Sequence, residues 1–456
     1  MKVFKPTFSL LFMIVVFFSC STDSVTAPEE TDDEVAVEDE ETTNENTDSN
    51  GSSQPNILLI IADDMGLDAS PGYSLGTAKP NMPNLQNMIS SGLTFTNVWS
   101  YPTCTPTRAS MITGKYGFRT NVLKVDDPLS TTEIAIQKYI TDNSTANYSN
   151  AVIGKWHLSR DNDHPEMMGV EYFAGFKSGG VQDYTNWTLL ENGTTSNSTT
   201  YTTTKFTDLA IDWVANQDNP WFLWLAYNAP HTPFHLPPIN LHSQGNLPTD
   251  QASIDANPIP YYMASLEAMD TEIGRLLNSM SNEERANTII IFVGDNGTPN
   301  QVQQDYPNRR VKGTVYQGGV NVPMIVSGAT LTRMNETDDA LIATVDIFAT
   351  IADMTDTGTT ELHDSKSFKS LLSTANAEER TVVYTEVGND AGTKDLAIRN
   401  ATHKYILFSD GSEALYDLSK DLLEEIDLLS SNQLPLSEAD EQQRDALVEA
   451  LNNLTN

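Results

Sequence analysis

Asn56-Ile57-Leu58-Leu59-Ile60-Ile61-Ala62-Asp63-Asp64 is a near-continuous apolar run that stops at two carboxylates. A short run without polar alternation suits a strand buried on both faces of a parallel sheet. Three further runs share this grammar. Ala151-Val152-Ile153-Gly154 leads into Lys155-Trp156-His157, Trp221-Phe222-Leu223-Trp224-Leu225-Ala226 into Asn228-Ala229-Pro230-His231, and Thr288-Ile289-Ile290-Ile291-Phe292-Val293 into Asp295-Asn296-Gly297. Another run, Pro323-Met324-Ile325-Val326, follows shortly after Lys312. Open α/β sheets bind ligands outside the carboxyl ends of their strands. A polar cluster after one strand is ordinarily just a loop; four of them together predict a site.

Helical patterns lie between the runs, at Phe206–Asn216, Met263–Met280 and Leu341–Met354. The alternation predicts an α/β fold: a large mixed, mainly parallel sheet flanked by helices. Gly193–Thr204 reads as an exposed polar excursion, and Asn240–Pro260 as a long loop. From about residue 376 the strands become short and turn-separated, at Val382–Glu386, Leu396–Arg399, Tyr405–Phe408 and Ala414–Asp417. Ser409-Asp410-Gly411-Ser412 is a hairpin signal, and Ser437 stands ready to cap a closing helix over Glu438–Leu451. Residues 56–375 therefore read as the main domain, and 376–456 as a small C-terminal antiparallel α+β subdomain.

The chain has 456 residues, 26 Lys and Arg against 62 Asp and Glu, a net charge of −36 and two Cys. Two cysteines exclude a disulfide scaffold and a multi-cysteine metal site. The acidity excludes a general nucleic-acid binder. Residues 1–20 carry Lys2 and Lys5, an apolar Phe8–Phe18 and then Ser19-Cys20, the pattern of an export signal. Cys20 after that run resembles the lipidated first residue of a bacterial lipoprotein, with Phe17 bulkier than usual at the third position before it. Residues 21–55 hold 12 acidic residues and no Lys or Arg, a composition that makes an extended tether. These features predict an exported lipoprotein, joined through a lipid anchor to the outer membrane, at the cell surface or in the periplasm; the other reading is a plain signal peptide cut nearby.

Cys104 is the cysteine left for the globular part. It opens Cys104-Thr105-Pro106-Thr107-Arg108, with Thr113-Gly114 following. A helix starting there would offer free N–H groups to an anion or a nucleophile. On composition alone, a lone cysteine is more often a small core hydrophobe. Asp63, Asp64, Asp295 and Asn296 offer only oxygen donors, which suit Ca2+ more than Zn2+ and leave Mg2+ open. Taken singly, adjacent acids more often face solvent, and Asp-Asn-Gly is more often a turn.

Together these segments resemble the sulfatase family of the alkaline-phosphatase-like superfamily. Cys-Thr-Pro-Thr-Arg matches its Cys-x-Pro-x-Arg signature. Asp63-Asp64-Met65-Gly66, Gly154-Lys155-Trp156-His157-Leu158, Ala229-Pro230-His231-Thr232-Pro233, Gly294-Asp295-Asn296-Gly297 and Lys312-Gly313 follow in the family's order. The resemblance spans Asn56 to about Leu429. It implies that Cys104 is oxidised to formylglycine by a formylglycine-generating enzyme during maturation. The hydrated aldehyde then attacks sulfur, forms a covalent enzyme–sulfate, and expels sulfate through its second hydroxyl.

It further implies a Ca2+ site made by Asp63, Asp64, modified Cys104, Asp295 and Asn296. Arg108 would hydrogen-bond residue 104, and Lys155 and Lys312 would hold sulfate oxygens. His157 would contact the diol as base, and His231, alone or with Lys312, would protonate the leaving oxygen. The implied substrate is a sulfated carbohydrate or another small, for example aryl, sulfate ester. His164 and His235 stand near these motifs as candidate pocket residues or exposed loop groups. Ser159-Arg160 follows Leu158 where the family often has Gly, and Gln317 and Asn321 stand where it commonly has Glu and Arg. Two other readings remain: a phosphate or phosphonate monoester hydrolase of the same superfamily, and a non-catalytic glycan-binding lipoprotein.

Overall fold

The computed structural model describes residues 54–377 and 380–455. The export signal, Cys20 and the acidic tether, apart from Gln54 and Pro55, lie outside the described residues. Among the described residues, no helix is long and apolar enough to cross a membrane.

The opening run forms β1 (Asn56–Ala62) in a ten-stranded sheet. The other strands are β2 (Gly92–Trp99), β3 (Ser149–Lys155), β4 (Tyr172–Phe176), β5 (Trp187–Glu191), β6 (Thr194–Ser198), β7 (Trp221–Ala226), β8 (Thr288–Gly294), β9 (Met324–Gly328) and β10 (Glu336–Ala343). Their order is β10-β2-β9-β8-β1-β7-β3-β4-β5-β6. The centre, β8-β1-β7-β3-β4, is parallel. β9 runs antiparallel to both β2 and β8, and β5 and β6 close the far edge as antiparallel neighbours. This is the mixed, mainly parallel sheet that the apolar runs predict.

β1 explains why the sheet is covered on both sides. Ile57, Leu59 and Ile61 enter one apolar cluster, and Leu58, Ile60 and Ala62 enter the other. A pleated strand sends successive side chains to opposite faces, so an unbroken apolar run can be satisfied only between two layers. The helices Thr202–Val214 and Ile259–Ser279 pack in the second cluster, and Ile347–Met354 packs in the first.

Three expectations need correction. The helical pattern at Leu341–Met354 begins as strand: Leu341–Ala343 end β10, and the helix starts at Ile347 after the turn Thr344–Asp346. Leu341, Ile342 and Ala343 are all buried, and such a run has no period to separate strand from helix. Gly193–Thr204 is not simply an excursion, since Thr194–Ser198 pairs with β5 and Thr202 starts a helix. Asn192 and Gly193 both take positive φ, the two-residue hairpin turn that Asn-Gly favours. Asn240–Pro260 contains the helix Gln251–Ala256, capped by the Asp250 side chain at 3.0 Å from Ser253 N, and ends inside the helix that begins at Ile259.

The C-terminal strands Val383–Gly388, Lys394–Arg399, His403–Leu407 and Glu413–Asp417 form a four-stranded antiparallel meander. Gly411 takes positive φ in its last turn. Ser437 Oγ accepts from Asp440 N at 3.1 Å and caps the helix Glu438–Thr455. Leu447 and Leu451 of that helix share one apolar cluster with Ile398, Ile406, Trp99 and Tyr101.

Leu59, fully buried in β1, tests this account of the core. Leu59→Ala is expected to lower the unfolding free energy by about 2–5 kcal/mol in urea titration. A loss below about 1 kcal/mol would contradict a two-sided burial of β1.

Candidate active site

The site is built where four neighbouring strands end. β8, β1, β7 and β3 deliver, in spatial order, Asp295-Asn296, Asp63-Asp64, the Asn228–His231 turn and Lys155-Trp156-His157. β2 is parallel to these strands through β9, so its carboxyl end opens on the same side. The helix Cys104–Thr113 follows β2 there, and all ten of its residues are buried. Lys312 sits in the segment that leads into β9 from that side. Lys155 reaches its place because Gly154 lets β3 lie tight on β7. A Cβ at Gly154 would stand 1.9 Å from the Ala226 oxygen, and its φ is +110°.

Cys104 is the first residue of its helix, where backbone N–H groups lack helical partners. Its Sγ lies 3.2 Å from His157 Nδ1. Burial pushes the thiol pKa up, with Lys155 and Lys312 pulling the other way.

Three carboxylates meet three cations one to one. Arg108 donates to Asp295 Oδ2 at 3.1 and 2.8 Å and to the Lys155 carbonyl at 2.8 Å. Lys155 Nζ lies 2.6 Å from Asp63 Oδ2, and Lys312 Nζ bonds Asp64 Oδ1. The bond expected from Arg108 to residue 104 is not formed with the thiol; the Asp295 carboxylate is the stronger acceptor and takes the guanidinium. Burial pushes the Asp295 carboxyl up to about 6, reinforced by Asp63 and opposed by Arg108. Burial would raise Asp64 too, but Lys312, His231 and Lys155 more than offset it and hold it low.

The group has room for a cation by its chemistry. Asp63 Oδ1 and Asn296 Oδ1 are buried and accept no hydrogen bond. Such orphaned oxygens cost free energy unless a donor or cation meets them. One ligand atom each from Asp63, Cys104 and Asp295 lie within 4.8 Å of one another, as do those from Asp63, Asp64 and His231. Asn296 Nδ2 donates to Asp64 Oδ1 at 2.8 Å, which leaves its carbonyl oxygen as the free ligand atom. An all-oxygen set with three acids suits a hard divalent cation.

The two histidines are set differently. His157 Nε2 lies 3.0 Å from Asp126 Oδ1 and 3.2 Å from Thr105 Oγ1. Burial, then Lys155 and Arg108, pushes its pKa far down, so the imidazole is neutral. With Nε2–H directed at Asp126, Nδ1 is left as an acceptor facing residue 104. His231 Nδ1 lies 2.7 Å from the Thr232 carbonyl, so Nε2 is its free atom, 3.8 Å from Asp64 Oδ2. Burial lowers its pKa, while Asp63 and Asp64 oppose the shift. Tyr184, whose hydroxyl donates to the Asn228 and His231 carbonyls at 3.0 and 2.6 Å, fastens this loop from behind.

All the predicted site residues therefore converge. His164 is buried and His235 half-buried, so neither is an exposed loop group. His164 is buried between Trp156 Nε1 and the Leu129 carbonyl, and His235 stacks on Tyr184 with centroids 3.9 Å apart. Gln317 accepts from Trp99 Nε1 at 3.0 Å and Asn321 from Val98 N at 3.1 Å, so both brace β2. Asp126 is the residue that sequence reading missed, because it follows no strand and sits in no motif.

Lys155→Met would leave Asp63 charged, buried and unpaired. The expected loss is about 3–5 kcal/mol in chelator, with Ca2+ restoring more stability to the variant than to the parent in thermal unfolding. Equal Ca2+ responses in the two proteins would contradict a cation site at Asp63.

Residues 55–357 match the family profile described as Sulfatase. The chain is 26% identical over 374 residues to the uncharacterized sulfatase YdeN of Escherichia coli strain K12, covering 68% of this chain and 64% of that protein. To human N-acetylgalactosamine-6-sulfatase it is 26% identical over 346 residues, covering 66% and 62%. The matched length is thus less than two thirds of these curated relatives. The crystal structure of Ps i-CgsB in complex with k-i-k-neocarrahexaose has the same fold, with a TM-score of 0.74 at 22% identity over 88% of this chain and 93% of that one. Since the profile covers most of the chain, the chain belongs to the sulfatase family.

Proposed function

We propose that the chain hydrolyses a sulfate monoester of a carbohydrate or aryl alcohol. The observation that carries this reading is Cys104 at a buried helix start, against His157 and within ligand distance of Asp63 and Asp295. The name of the human relative, an N-acetylgalactosamine sulfatase, and the oligosaccharide in the structural neighbour support the carbohydrate side.

In this reading Cys104 is converted to formylglycine by a formylglycine-generating enzyme. Its hydrate supplies two hydroxyls, one to take the sulfuryl group covalently and one to expel sulfate. Asp63, Asp64, Asp295, Asn296 and residue 104 would hold a Ca2+ ion, which would supply Lewis-acid chemistry at the sulfuryl group. The chain's own residues do the rest. Lys155 and Lys312 meet the oxygens on which charge develops. Arg108 holds Asp295 in place and neutralises it. His157, with Nδ1 open towards residue 104 and Nε2 directed at Asp126, accepts the proton of the second hydroxyl. His231 Nε2, or Lys312 Nζ beside it, delivers a proton to the departing alkoxide. Export through residues 1–20 and anchoring by a lipid on Cys20 place this chemistry outside the cytoplasm, held to the membrane by the acidic tether.

Purified with an aldehyde at residue 104, the protein is expected to favour 4-nitrophenyl sulfate over 4-nitrophenyl phosphate by at least about tenfold in kcat/KM. Asp295→Asn, checked for fold by circular dichroism, is expected to lose at least about a hundredfold. A clear preference for phosphate would move the chain to the phosphate and phosphonate hydrolases of the superfamily. Retained turnover in Asp295→Asn would refute its role.

A further inference from the structure

β4 runs directly into Lys177-Ser178-Gly179-Gly180, and this segment lies against both catalytic-candidate imidazoles. A Cβ on Gly179 would stand 2.9 Å from His157 Cε1, and one on Gly180 3.0 Å from His231 Nδ1. On the same segment opens a cavity of 540 Å³, within the range of small-ligand sites. Ser178, Gly180, Gln182 and Asn186 line it, and Gln182 and Asn186 are exposed amides able to meet hydroxyl groups.

The charged residues lining this cavity are Arg160 and Lys177, with no carboxylate among them. In a chain with 62 acids against 26 bases, two cations without an acid are against composition. A smaller cavity of 260 Å³, which reaches His157 itself, shares both residues, so they stand between the reaction centre and the larger space. The smaller one also holds Asp126, Asp127 and Asp161, so the net positive character belongs to the larger. Lys177 forms no ion pair among the described residues, and its ammonium bonds only the Arg160 carbonyl. Arg160 reaches Asp126 Oδ2 at 2.9 Å and keeps 75% of its side chain exposed. That leaves several of its five donors for a ligand.

We propose that the alcohol part of the ester is a saccharide bearing a second anionic group, a sulfate or a carboxylate, and that Arg160 and Lys177 hold it in this cavity. This inference rests on the sulfate-ester reading above. It adds that the chain discriminates among sulfated sugars by charge at a distance from the scissile bond, with the two cations as specificity residues rather than catalytic ones.

The test is steady-state kinetics on three sets of pyranosides. One set carries a single sulfate, one a second sulfate, and one an adjoining hexuronate. The parent protein is expected to favour a doubly anionic set over its singly sulfated counterpart by at least about fivefold in kcat/KM, mostly through KM, which is the scale of charge-assisted contacts at an exposed site. The set that gains identifies the anion. In the double variant Arg160→Gln, Lys177→Gln the preference should fall to near one, and added NaCl should shrink it in the parent. Turnover of single sulfates with no preference, or a preference that survives the double variant, overturns the anion subsite and leaves the sulfatase reading standing. No turnover of any sulfate ester by aldehyde-bearing protein overturns both.

Discussion

Three buried carboxylates, Asp63, Asp64 and Asp295, are held at the ends of two adjacent strands, and they govern the rest of the site. Charged groups out of water and close to one another are unfavourable unless opposite charge is fixed beside them. Lys155, Arg108 and Lys312 meet that demand one to one. Each comes from a different element, so the electrostatics of the site also tie β3 and the segment before β9 to the end of β1, and the Cys104 helix to the end of β8. The orphaned oxygens of Asp63 and Asn296 mark what this pairing leaves unmet. In the proposed reaction a divalent cation answers them, and the two lysines are then able to turn toward an anionic ester.

This constraint explains why the site was legible in the sequence. A buried parallel strand must read as an apolar run, and the residue after it must be where the ligand meets the sheet. Asp63, His157, His231 and Asp295 all stand one to five residues after such a run. Asp126 obeys no such rule. It is brought to His157 by a loop whose course depends on tertiary packing, with its own φ at +68°. The β5–β6 hairpin was legible in principle through Asn192-Gly193, but the surrounding Thr and Ser residues masked it as coil. The start of the Ile347 helix was not legible, because Leu341–Ala343 are buried on both faces.

Net charge misleads about the partner unless it is resolved in space. At −36 the chain would repel a polyanion at long range, yet salt screens that repulsion beyond about 10 Å. Close to the reaction centre bases balance acids, with Arg108, Lys155 and Lys312 set against Asp295, Asp63 and Asp64. Arg108, Lys155 and Lys312 face residue 104, and Arg160 with Lys177 lines the adjoining cavity. In the proposed function these local cations hold a sulfated ligand, while the acidic surface disfavours polyanions in general.

The proposed reaction turns on residue 104 being an aldehyde, since a thiol has no second hydroxyl with which to expel sulfate. The most direct measurement is the mass of the peptide containing residue 104, taken from active protein made in its native host. Conversion of thiol to aldehyde lowers that mass by about 18 Da, and the account predicts this fall in the bulk of the peptide. An unmodified Cys104 peptide throughout a preparation that hydrolyses sulfate esters would contradict it.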